Sequence, residues 1–190
     1  MLACRPTLLG LFFAVAVAGG GDRSAEFTDI DGRKQSPLGG PDRKATVLFF
    51  LLPDCPISNF YAPELKRISD EYTPKKVAAF IVHADPDVSA DTARKHAKQF
   101  GLTCPVLLDP VHRLVKRTGV TMAPEVAVLT PEGKVAYHGR IDDIYVDYGK
   151  RREAPTQRDL RNALDAALAG KAAPTPVTKV IGCNLPEPRK

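Results

Sequence analysis

The sequence of 190 residues predicts an α/β fold: a central mixed sheet, mostly parallel, flanked by helices and followed by an irregular C-terminal tail. Three observations carry that expectation. Residues 45–52 and 77–82 are apolar runs rich in β-formers, continuous rather than alternating, as in strands covered on both faces. Each run is followed by a segment with apolar residues at helical spacing, so strand and helix alternate. Late in the chain, residues 125–129 and 135–138 flank Pro131-Glu132-Gly133-Lys134, a turn sequence that closes an antiparallel hairpin.

The elements follow in order. After the strand at 45–52 comes Pro53-Asp54-Cys55-Pro56, then a helix over 58–72 whose apolar stripe is Phe60, Tyr61, Leu65 and Ile68. The strand at 77–82 leads to Ser89, a helix N-cap, with the helix running to Phe100 and closing at Gly101. A short strand at 106–108 and a short helix at 112–118, ended by Gly119, precede the hairpin. Thr156 and Asp159 have capping-box spacing and open a last helix to Ala169, stopped by Gly170. Residues 140–155 read as a polar insertion, and 171–190 as a Pro-rich, mobile tail carrying Cys183.

Residues 1–18 read as a secretory signal peptide. Arg5 supplies the positive start, an apolar run begins at Leu8, and Ala16-Val17-Ala18 gives the small-x-small cleavage pattern. The apolar run is shorter than the roughly 20 residues that span a bilayer. The expectation is an exported, periplasmic or extracellular protein with no membrane span after cleavage, and one domain over 22–170. Composition excludes other classes. The net charge of +5 is scattered among carboxylates, Trp is absent and aromatics are 7%, so neither a phosphate-binding face nor a base-stacking platform is expected.

Export would leave three cysteines, Cys55, Cys104 and Cys183, in a compartment where disulfides persist. Cys55 lies between a buried strand and a helix N-terminus, where free amides and the helix dipole favour the thiolate, the reactive form. Asp54 beside it acts the other way, by like-charge repulsion. Cys104, before Pro105 at a strand start, reads as a packing residue.

Residues 53–58, Pro-Asp-Cys-Pro-Ile-Ser, between strand and helix resemble the active-site region of thioredoxin-fold proteins. Cys55 matches the first cysteine of their Cys-x-x-Cys motif, and Ser58 stands in place of the second. Gly119-Val120-Thr121-Met122-Ala123-Pro124-Glu125 and the hairpin after it are similar to that family's cis-proline loop. Within it the chain looks most like bacterial exported redoxin-domain proteins, among the alkyl hydroperoxide reductase and thiol-specific antioxidant relatives. The resemblance implies thiol–disulfide exchange through Cys55, with Ser58 bonding the thiolate, Pro124 shaping the partner groove, and protein thiols or disulfides, a small thiol or a peroxide as partners. No cofactor is implied. Cys183 has three expected fates: resolving Cys55, bonding another protein, or pairing with nothing.

Departures from related patterns mark the alternatives. Peroxiredoxins carry proline and threonine where Leu48 and Leu52 stand here, which disfavours a peroxidase. Sco-type copper proteins have a cysteine at the position of Asn59, leaving Cys55, His83 and His112 as a sparse ligand set for soft Cu(I). A non-catalytic interaction module built on the same fold is the third alternative. His96, between Lys95 and Ala97 with Lys98 beyond, reads as solvent-facing. His83 reads as a partly exposed loop residue, His138 as an edge-hairpin residue, Glu125, beside Pro124, as a surface carboxylate or else a proton acceptor near the thiol, and Tyr61 as packing.

Overall fold

A computed structural model describes residues 25–189. The proposed signal segment lies outside the described residues. The chain opens with a hairpin of two two-residue strands, β1 (Phe27–Thr28) and β2 (Lys34–Gln35), which the sequence reading lacked. Asp29 closes it by accepting the Asp31 and Arg33 amides and the Gln35 side-chain amide.

The sheet begins at β3 (Ala45–Phe50), buried at every position. β3 stops two residues before the predicted end, although Leu51 N–H still donates to Val82 O at 3.0 Å. Helix α1 (Pro56–Tyr72) starts two residues earlier than expected, because Pro56 sits at N1, where proline needs no hydrogen-bond partner. β4 (Val77–His83), α2 (Ala90–Phe100), β5 (Val106–Leu108) and α3 (Arg113–Thr118) follow. Ser89 Oγ accepts Thr92 N–H at 3.1 Å, and Gly101 takes the left-handed conformation (φ 63°) that ends α2. The N-terminus of α3 is capped from outside: buried Asp109 accepts the Arg113, Leu114 and Val115 amides.

β6 (Met122–Ala123) leads into β7 (Glu125–Leu129) and β8 (Val135–Gly139). The five-stranded sheet has the order β5-β4-β3-β7-β8, with the first three parallel and β7 and β8 antiparallel. The period of two sorts β3. Val47 and Phe49 face the layer of α1, α2 and α4 (Asp159–Leu168), while Leu48 and Phe50 face Leu114, Val120 and the N-terminal hairpin.

Two expectations fail between β8 and α4. The polar insertion at 140–155 contains a hairpin, β9 (Tyr145–Asp147) and β10 (Lys150–Arg151). The capping box at Thr156 and Asp159 does not form. Thr156 instead donates its hydroxyl and its amide to buried Asp143, Asp159 pairs with Arg140, and the residue before α4 is Arg158. The tail is also docked on the fold. Val177 bridges His138, and β11 (Cys183–Asn184) pairs antiparallel with β6. No helix among the described residues is long and apolar enough to cross a membrane.

Candidate active site

Cys55 is the N-cap of α1, with extended backbone (φ −87°, ψ 114°), and the residue is 2% exposed. Its amide donates to Leu52 O and its carbonyl accepts Asn59 N–H, which fixes the turn that carries the strand into the helix. Cys55 therefore stands at the positive end of α1, a setting that favours a thiolate, although its side chain makes no capping hydrogen bond to the helix. Asp54 is exposed, beside the site rather than packed on it.

The Ala123–Pro124 bond is cis, as the resemblance implies, and Ala123 O lies 3.4 Å from the Cys55 sulfur. The loop is held by Glu125, which the sequence reading put on the surface. It is buried: one carboxylate oxygen accepts the Thr121 and Met122 amides at 2.8 and 3.1 Å, and the other lies 3.0 Å from His138 Nδ1. No sequence pattern announces this carboxylate. The clue was its place one residue after the loop proline.

Cys183 closes the site with a disulfide to Cys55. The two residues are 128 positions apart, with Cα atoms 6.2 Å from each other. Cys183 pairs with Ala123 and Asn184 with Met122. Upstream the tail is anchored at Thr178. Its hydroxyl accepts Arg140 N–H at 3.0 Å and lies 2.7 Å from Tyr137 Oη, and its amide donates to His138 O. Gly139 (φ 146°) leaves room for that anchor, since a Cβ there would lie 2.2 Å from Thr178 Oγ1.

The remaining candidates lie apart from the sulfurs or serve the frame. Ser58 is buried, and its hydroxyl accepts Leu52 N–H at 3.4 Å, holding the same turn. Tyr61 donates to buried Asp142 at 2.6 Å, and burial followed by this bond pushes its phenol well up. Asp142 is itself raised, by burial. His83 is fully buried, not a partly exposed loop residue, and donates from Nδ1 to Leu51 O at 2.9 Å; burial pushes it down to about 4. His96 is likewise buried, not solvent-facing: it bonds Asn59 Oδ1 at 2.8 Å and stacks edge-on against His83. Ala93, His96 and Ala97 form the buried stripe of α2, a spacing that outweighs the flanking lysines.

His112 is also buried, and donates to Ala84 O at 2.9 Å. With both imidazoles bound to backbone carbonyls, the Cys55, His83 and His112 set does not assemble. Among the described residues no three His, Cys, Asp or Glu side chains gather to hold a metal. Leu48 and Leu52, at the peroxiredoxin proline and threonine positions, are buried among apolar neighbours. Cys104 is half-buried and its thiol donates to Ser69 Oγ at 3.1 Å; burial raises it.

The sequence model of the family described as Redoxin matches residues 23–150. No curated protein sequence matches the chain. A solved hypothetical protein of Sinorhizobium meliloti is 26% identical, with a TM-score of 0.72 over 87% of this chain and 92% of that one. A secreted disulfide oxidoreductase of Mycobacterium tuberculosis is 18% identical, with a TM-score of 0.51 over 77% and 95%. A thioredoxin-like protein of Aeropyrum pernix is 18% identical, with a TM-score of 0.50 over 62% and 81%. The last two likenesses are of fold alone, and that fold is thioredoxin-like.

Proposed function

The chain belongs to the redoxin family, and from that membership we propose an extracytoplasmic thiol–disulfide oxidoreductase in which Cys55 is the reacting sulfur and Cys183 resolves it. The observation that supports this reading is the Cys55–Cys183 bridge, placed at a helix N-terminus and against the cis-proline loop. In the reduced protein the Cys55 thiol gives its proton to solvent, and its thiolate attacks one sulfur of a partner disulfide. A mixed disulfide forms and the partner's other sulfur leaves as a thiolate. The Cys183 thiolate then attacks Cys55, closes the internal bridge and releases the partner's second thiolate. Two electrons and two protons pass to the partner. Run in reverse, the bridge oxidises a partner dithiol.

The roles of the frame follow. Glu125 and His138 hold the loop that carries Pro124, and Ser58 holds the turn that carries Cys55. Protein thiols or disulfides are the proposed partners. Export is part of the same proposal and rests on the leader pattern at 1–18. Mass spectrometry of the unreduced protein is expected to find residues 55 and 183 linked and Cys104 free, with the chain from the producing cell beginning at Gly19. Cys183→Ser is expected to accumulate a mixed disulfide on Cys55 when mixed with a disulfide-bonded protein. Accumulation on Cys104 instead, or an unlinked pair in air-oxidised protein, overturns the assignment.

A further inference from the structure

The bridged tail has the chemical form of a mixed disulfide whose partner is the chain's own strand. Its sequence, Ile181-Gly182-Cys183-Asn184-Leu185, is extended through β11 and alternates. Ile181, Cys183 and Leu185 lie half-buried against the core, while Asn184 is exposed. Gly182 is buried, and the register that pairs Cys183 with Ala123 sets it opposite Pro124. Its φ lies outside the left-handed region, so its backbone suits any residue and only space demands glycine. A Cβ there would lie 2.4 Å from Ala123 O and 2.8 Å from Ala123 C, both backbone atoms that side-chain rotation cannot move.

Any partner cysteine joined to Cys55 meets the same limits. A disulfide holds the two Cα atoms within roughly 4.4–6.8 Å, and the Cys55 sulfur is fixed against Ala123 O. The open backbone edge beside it is that of Met122 and Ala123, which β11 uses when the bridge is closed. A partner strand that pairs there while its cysteine reaches Cys55 takes the tail's register and carries its preceding residue over Ala123 O.

Resting on the oxidoreductase reading above, we infer that tail and partner occupy this groove in turn, and that it selects extended polypeptide segments of the pattern apolar-Gly-Cys-polar-apolar. The glycine is a steric requirement, and the two apolar positions take the places of Ile181 and Leu185. Resolution is then an exchange of strands: as Cys183 attacks Cys55, the tail re-pairs with β6 and the partner strand leaves.

The test uses the full-length Cys183→Ser protein, reduced, and the peptide Val-Ile-Gly-Cys-Asn-Leu with its cysteine joined to nitrothiobenzoate. The Cys55 thiolate attacks the peptide sulfur, the peptide–Cys55 disulfide forms, and the coloured nitrothiobenzoate thiolate leaves and reports the rate. Mass spectrometry locates the adduct. Replacing the peptide's glycine by alanine is expected to slow the reaction about tenfold or more, as overpacking against fixed backbone predicts, and valine further. The symmetrical nitrobenzoate disulfide, which has no peptide flank, is the control. If it reacts at Cys55 and the glycine and alanine peptides react equally, the glycine requirement is overturned while the nucleophile stands. If neither it nor any peptide joins Cys55, the oxidoreductase reading itself falls. Independently, Gly182→Ala in the otherwise unaltered chain is expected to lower the equilibrium constant for closing the bridge in a glutathione buffer by about tenfold or more, with the reduced fold intact by circular dichroism. An unchanged constant counts against the contact.

Discussion

Breaking the Cys55–Cys183 bridge is the perturbation with the largest consequence for the fold. The bond closes a loop of 128 residues, and the chain-entropy relation for a loop that long gives about 5 kcal/mol of stabilisation by restricting the unfolded chain. The entropic term acts on the unfolded chain, while in the folded protein the tail is also held by the contacts at Thr178 and β11. The assay is urea denaturation of the same protein with and without reductant, beside a Cys55→Ser/Cys183→Ser variant. With a denaturant slope of about 1–3 kcal/mol per molar, the midpoint shifts by about 2–5 M. The double variant is expected to follow the reduced curve under both conditions. Oxidised and reduced curves that agree to within about 1 kcal/mol, with the bridge verified by mass, would refute the entropic reasoning.

Three further outcomes are expected. After reduction, iodoacetamide at neutral pH is expected to modify Cys55 faster than Cys104, because the first sits at a helix N-terminus while burial raises the second; the reverse order, read by mass spectrometry, removes Cys55 as nucleophile. His83 is held down to about 4, chiefly by burial, so the unfolded chain takes up a proton first. The stability tied to neutral His83 is complete above the unfolded value of about 6.5 and is lost as pH falls from there through about 4; urea midpoints measured against pH are expected to flatten across that window in His83→Gln. Gly139→Ala places a Cβ on Thr178 Oγ1, so its tail is expected to dock poorly and its bridge to reduce at a lower thiol concentration than in the unaltered protein, with an unchanged titration as the contrary result.

The sheet was legible because strands covered on both faces leave continuous apolar runs, and 45–52 and 77–82 have little other reading. Cys55 was legible for the same reason, since a buried strand running into Cys-Pro and then a helix leaves the cysteine one place to be. The cis-proline loop was legible through its resemblance. What escaped notice depends on contacts between distant segments. The strands β1 and β2 have two residues each, too few to show a period. Glu125 looks like any charged residue in a hairpin until the Thr121 and Met122 amides turn toward it. His96 was hidden by its lysine neighbours, though the buried stripe it shares with Ala93 and Ala97 was there to count. The tail's four prolines disguised the alternation of Ile181, Cys183 and Leu185. The box at Thr156 failed because Asp143, far back in the chain, claims the threonine first: burial alone would raise that carboxyl, yet the Thr156 and Gln157 hydrogen bonds pull it down to about 2.

The bridge also alters what a protease would see. Every strand from β4 to β10 and every helix among the described residues lies between its two sulfurs, so the oxidised molecule holds a ring closed at Cys55 and Cys183, with β1, β2 and β3 on the arm before it. The β9–β10 hairpin presents exposed Lys150, Arg151 and Arg152 at its tip and return strand, a natural point for a trypsin-like cut. A nick there opens the ring without dividing it. The fragments stay joined through the sulfurs and through the sheet, and part only once the disulfide is reduced and the fold is lost.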